Sequence, residues 1–112
     1  MSIPAYQNLE LVRGDTLSVV ATMTSDGSTP INISGRVYSM QMRTSPESST
    51  VSATFTCTVT NAAAGQVTCS LPASTTANLT PQKYSYDLQE NASGTITTVI
   101  SGFIKVLPDT TR

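Results

Sequence analysis

The stretch SATFTCTVT-NAAAG-QVTCSL, residues 52–71, decides the fold class. Ahead of the alanine-glycine turn, Ala53, Phe55, Cys57 and Val59 alternate with Thr54, Thr56, Thr58 and Thr60; behind it, Val67, Cys69 and Leu71 alternate with Thr68 and Ser70. A period of two sends successive side chains to opposite faces, so each run is a strand with one apolar and one wet face. If the turn centres on Ala63, antiparallel register sets Val59 against Val67, Cys57 against Cys69 and Phe55 against Leu71. All six then share one face, so turn and hydrophobic pattern specify the same hairpin.

The same period extends outward in both directions. Upstream, Leu17, Val19, Ala21 and Met23 alternate with Ser18, Thr22 and Thr24 and stop at Asp26-Gly27, a strong turn dipeptide. A shorter run, Leu9 to Val12, precedes the turn Arg13-Gly14-Asp15, and Arg36 to Arg43 carries Val37, Tyr38, Met40 and Met42. Downstream, Pro72 to Pro81 reads as a crossover with one helical turn at most, and Lys83 to Gln89 points Tyr84, Tyr86 and Leu88 one way. Thr95 to Leu107 is a long strand, with a bulge or bend expected at Ser101-Gly102. About seven short, mostly alternating strands in a chain this long imply an all-β immunoglobulin-like sandwich of antiparallel strands.

Composition agrees with strands and excludes several classes of function. Thr occurs 19 times and Ser 15 times among 112 residues, a density that suits pleated, half-wet surfaces. That length fits one domain, residues 1–112. Hydrophobic residues make up 38%, enough for a core, while charged residues make up only 12%, with a net charge of -1. No basic field is available for nucleic acid, and no apolar stretch approaches the length of a membrane helix. Met1 to Glu10 lacks the basic and hydrophobic regions of a signal peptide, so synthesis in a reducing cytosol is expected. A surface this poor in charge suits a subunit largely covered by neighbours.

The inventory of reactive residues argues against catalysis. Histidine is absent, the seven acids are scattered, and Asp87 and Glu90, close in sequence, point to opposite faces of a strand. No phosphate-binding glycine loop occurs, so no cofactor, metal or small-molecule substrate is expected. Arg13-Gly14-Asp15 matches a cell-adhesion tripeptide but stands where a turn is needed. Cys57 and Cys69 face each other closely enough for a bond, yet both point to the core, and buried thiols are the favoured reading. The sequons at Asn32, Asn78 and Asn91 are little more than this Ser/Thr density produces by chance. Tyr84, after Leu79-Thr80-Pro81-Gln82-Lys83, has the position of a tyrosine that anchors a sandwich corner through its hydroxyl; a plain core tyrosine is the alternative.

Taken in order, four segments carry a family resemblance: Leu11-Val12-Arg13-Gly14-Asp15-Thr16-Leu17, Pro30-Ile31-Asn32-Ile33-Ser34-Gly35, Tyr84-Ser85-Tyr86-Asp87-Leu88, and Ser101-Gly102-Phe103-Ile104-Lys105-Val106 with Asp109-Thr110-Thr111-Arg112. The chain resembles the immunoglobulin-like modules of tailed-phage virions, notably the amino-terminal domain of upper baseplate and fibre-anchoring proteins. The resemblance implies a non-enzymatic virion protein assembled in the host cytoplasm and docked on the tail, baseplate or neck. Its partners would be other virion proteins, in several symmetric copies. A capsid decoration protein is the alternative within that class. A secreted adhesin or carbohydrate-binding module is the alternative outside it, and would carry an oxidised Cys57–Cys69 pair.

Residues with structural roles under this reading are Phe55, Cys57, Cys69, Tyr84, Tyr86 and Asp87. Replacing Phe55 or Tyr86 by Ala is expected to cost roughly 3–5 kcal/mol in equilibrium denaturation, whereas replacing Glu47 or Glu90 should do little.

Overall fold

A computed structural model describes residues 5–24 and 29–110; the Asp26-Gly27 turn lies outside them. The elements are β1 (Ala5–Tyr6), β2 (Leu9–Val12), β3 (Leu17–Thr22), β4 (Val37–Arg43), β5 (Ala53–Asn61), β6 (Gln66–Leu71), the single helical turn α1 (Ala73–Thr76), β7 (Lys83–Ala92) and β8 (Thr95–Leu107). They form the all-β immunoglobulin-like sandwich that the alternating pattern implies. One layer runs β1/β2–β8–β7–β4, with the start of β5 on its far edge; the other is β5–β6–β3.

The 52–71 hairpin forms with Cys57 opposite Cys69 and Val59 opposite Val67. Phe55, however, does not face Leu71. Strand β5 leaves one layer for the other between Phe55 and Thr56: Ala53, Thr54 and Phe55 pair with Met42, Gln41 and Met40, while Thr56 onward pairs with β6. Leu71 pairs instead with Leu17. Both side chains stay buried, because changing partners does not change the face on which a side chain stands.

A second difference lies at the amino terminus, where β1 and β2 pair parallel to β8 in one continuous register, Ala5 with Ile100 and Leu9 with Ile104. The glycine at 102 serves this pairing rather than a bulge. Its missing side chain lets the Gln7-Asn8 backbone cross directly above it, where any Cβ would overlap the Gln7 carbonyl. Around the crossing, Gln7 N donates to Ser101 O (2.9 Å) and Phe103 N donates to Asn8 Oδ1 (3.0 Å). The bulge falls a few residues earlier: Leu88 pairs with Ile100 and Gln89 with Thr98, leaving Val99 as the extra residue. The turn joining β7 to β8 uses Ser93 and Gly94, both at positive φ (53° and 94°), the pattern a two-residue hairpin turn requires.

The core lies between the layers. Tyr38, Met40 and Met42 of β4, Tyr84, Tyr86 and Leu88 of β7, and Ile104 and Val106 of β8 face Val67, Cys69 and Leu71 of β6. Loop residues close it: Ile33 is fully buried, its N–H bonded to Ala62 O, and Leu79 follows α1 into the same cluster. Gly102→Ala is expected to destabilise the fold by about 1–3 kcal/mol in urea denaturation, because backbone rather than a flexible side chain must give way.

Candidate functional site

Two of the tyrosines singled out in the sequence, and the turn at 13–15, prove to be clasps between elements. Tyr84 Oη donates to Thr80 O (2.8 Å), closing the corner before β7. Tyr86 Oη donates to Gln7 O (2.5 Å), tying the crossing over Gly102 to the core; burial pushes its hydroxyl up to about 12. The Arg13-Gly14-Asp15 turn is held at both ends. Arg13 Nε and Nη2 donate to Asp109 Oδ1 (3.1 and 3.0 Å). The fully buried Thr76 of α1 accepts from Gly14 N (3.1 Å) and donates to Asp15 O (2.7 Å). The turn's backbone is thus engaged from beneath and its Arg13 side chain is tied to Asp109, while Asp15 stays exposed.

The two cysteines are free thiols facing each other across β5 and β6. Cys69 is buried, but Cys57 is only half-buried, because β5 is an edge of its layer. Their mutual hydrogen bond, followed by burial, holds the Cys69 thiol well above the usual range. The three sequon asparagines are exposed and serve local turns: Asn32 Oδ1 accepts from Ser34 N, Asn91 Oδ1 accepts from Gly94 N, and Asn78 Nδ2 donates to Ser74 O.

Glu90 corrects the expectation of an indifferent surface acid. Asp87 and Glu90 do stand on opposite faces, but Glu90 takes the inward one, directly opposite Tyr38 on β4. Its carboxylate accepts from Tyr38 Oη (2.6 Å) and Arg36 Nη1 (3.3 Å), and only 12% of its side chain is exposed. Burial, with Glu90 close by, raises the Tyr38 hydroxyl above its ordinary range. Sequence periodicity placed Glu90 on the Leu88 face, but not at the end of the sandwich, where an inward acid meets an inward tyrosine.

Two surfaces remain as candidates for function. The outer face of β3–β6–β5 follows from the register in rows, Ser18–Ser70–Thr56, Val20–Thr68–Thr58 and Thr22–Gln66, and among the described residues these rows carry no charged group. Val20 is 60% exposed at its middle, and Thr60 Oγ1 lies 3.1 Å from Thr68 Oγ1. Among the described residues, β3 and the Thr56–Asn61 half of β5 each pair only with β6, so both edges are open. Neither edge segment contains a charge or proline, the usual devices against pairing with another chain.

The opposite outer face, of β1–β8–β7–β4, holds a cleft of about 450 Å³. Cross-strand pairing sets Gln41, Asp87, Ser101 and Tyr6 in one row, with Arg43–Ser85–Phe103 on one side of it and Ser39–Gln89 on the other. Burial raises the Asp87 carboxyl above its usual range, partly offset by Arg43. Arg43 itself donates to Ser48 O (2.8 Å) and Gln41 Oε1 (3.1 Å), bracing the loop that walls the cleft at Pro46. No three metal-capable side chains cluster among the described residues, and no helix there is long and apolar enough to cross a membrane.

These features define an immunoglobulin-like sandwich domain with two contrasting outer faces. No family model and no curated protein matches the chain. Among solved structures, it is similar to VGSC beta subunits studied for multimeric cell-adhesive interactions, with 9% identity over 96% of each chain and a TM-score of 0.50. It is also similar to the Lin-41 filamin domain, with 16% identity over 88% of this chain and 82% of that one, and a TM-score of 0.46. At such identities the likeness is one of fold.

Glu90→Ala is expected to cost about 1–3 kcal/mol in thermal or urea unfolding, because it strands the Tyr38 hydroxyl and Arg36. Adding Tyr38→Phe should recover part of that loss, which a double-mutant cycle would read out.

Proposed function

We propose that this chain is a non-enzymatic structural module that docks onto a larger protein assembly through the outer face and edges of β3–β6–β5. The observation that carries this reading is a face that, among the described residues, has no charged group and is flanked by two edges with free backbone pairing capacity. The centres of protein interfaces are depleted of charge, and an unguarded edge strand invites a partner strand. Stable docking buries on the order of 1,000 Å² or more, so the partner covers an edge together with the face.

In this reading, supported by the resemblance of the strand-and-turn segments, the assembly is a tailed-phage virion, at its tail, baseplate or neck, with the module in several symmetric copies. A photo-crosslinking residue at position 20 is expected to capture a particle protein in purified virions, and to do so in tails rather than heads. Val20→Glu should release the protein from particles while leaving its unfolding free energy within about 0.5 kcal/mol of the parent. Recovery of the protein only as a lone species, never with particles, would overturn the docking reading. Capture from heads would assign it to capsid decoration.

A further inference from the structure

The cleft on the β1–β8–β7–β4 face has the composition of a ligand site and plays no part in the docking described above. We propose that it binds a neutral carbohydrate, with Asp87, Gln41 and Gln89 hydrogen-bonding the sugar hydroxyls and Tyr6 stacking against the ring.

Four observations on that face converge. First, the size fits: about 450 Å³ lies within the range of small-ligand clefts, roughly 300–1,000 Å³. Second, the polar groups match a polyol. Vicinal hydroxyls present adjacent donors and acceptors, and a carboxylate or side-chain amide offers two such atoms in one plane. Gln41 and Asp87 sit side by side on neighbouring strands, with Gln89 two residues along β7 and on the same face. With strands about 4.8 Å apart, the row from Gln41 to Tyr6 crosses four strands and spans about 14 Å, the reach of a short oligosaccharide.

Third, the charges are mixed. The charged side chains lining the cleft, Arg43 and Asp87, are of opposite sign, and Lys83 stands beside it over the Phe103 ring, so no strong field of one sign marks the cleft for an ion. Asp87 is held half-buried, and no hydrogen bond among the described residues takes up its carboxylate. An acceptor kept at that cost to the fold, on a concave surface, is provision for a ligand. Fourth, an aromatic ring is held ready. Lys83 Nζ sits 4.1 Å from the centre of the Phe103 ring, and Phe103 meets Tyr6 edge-on at 6.2 Å between centroids. Tyr6 is thereby oriented yet remains 65% exposed, leaving ring surface for the C–H face of a sugar. One side of the cleft is open, so binding is weak and gains from multivalent display.

The test is a printed array of neutral, sialylated and sulfated oligosaccharides, followed by NMR titration with maltotriose, cellotriose and chitotriose. Expected are signals from neutral glycans, and amide shifts confined to 6–7, 39–43, 85–89 and 101–103. Asp87→Asn should weaken binding about tenfold, the scale of one hydrogen bond to a charged group, and Gln89→Ala about threefold to tenfold, the scale of a neutral one. Thr58→Ala, on the opposite face, should change nothing. The direction of the carboxyl shift gives the expected sign of the stability change in Asp87→Asn, which urea denaturation checks. Because burial raises the acid's pKa, its ionised form costs stability at neutral pH. Asn removes that cost, so the variant should be at least as stable at neutral pH, with the difference vanishing in acid. A blank array without shifts from the three trisaccharides, binding confined to anionic glycans, or unchanged affinity in Asp87→Asn would each overturn the proposal. None of these results bears on docking, which is read from particles through the other face.

Discussion

Strand β5 hydrogen-bonds to β4 through Ala53, Thr54 and Phe55 and to β6 from Thr56 onward, so a single strand belongs to both layers. Because the layers share it, their inward rows cannot slide past each other without breaking a ladder. Met40 and Met42 are thus fixed over the Phe55 end of β5, and Val67, Cys69 and Leu71 lie over the opposite layer. A one-residue slip would turn Phe55 and Ala53 outward and drive threonines into the core, which is why the register is so strongly specified.

The periphery of that core is closed by hydroxyls. Thr76, Tyr84, Tyr86 and Tyr38 each place an oxygen against a loop or strand end: the turn at 13–15, the corner at 80, the crossing at Gln7, and the carboxylate of Glu90. Each hydroxyl thereby has a partner although its own residue is buried. In a protein with few charges and little helix, hydrogen bonds from buried hydroxyls do the work that ion pairs and helix caps do elsewhere. They also leave the two outer faces free to differ, one charge-free and open-edged, the other concave and polar.

Strands, hairpin and the inward faces of β4, β6 and β7 were legible because alternation is a local property: one residue's face follows from its neighbour's. The corner role of Tyr84 was legible too, since its partner lies four residues away. Ile33, Leu79 and Thr76 were not, because loop segments carry no period and their burial depends on which element they close. The clasp of Glu90 on Tyr38 escaped for a related reason, as β4 and β7 lie far apart in sequence and the pairing of 38 with 90 exists only once the sheet is built. Nor could the order of residues distinguish a glycine that bulges a strand from one that admits another backbone, as Gly102 does.

Amino-acid order alone determined that this chain is all-β, which side chains of the 52–71 hairpin and of β7 share one face, and that histidine-based chemistry is absent. Tertiary structure decided where β5 changes layers, that β1 and β2 run parallel to β8, and which polar residues from distant strands converge on one cleft. The division has a physical cause: the pleat fixes sidedness residue by residue, whereas partners are chosen by closure of the whole sandwich, through contacts between segments up to a chain length apart.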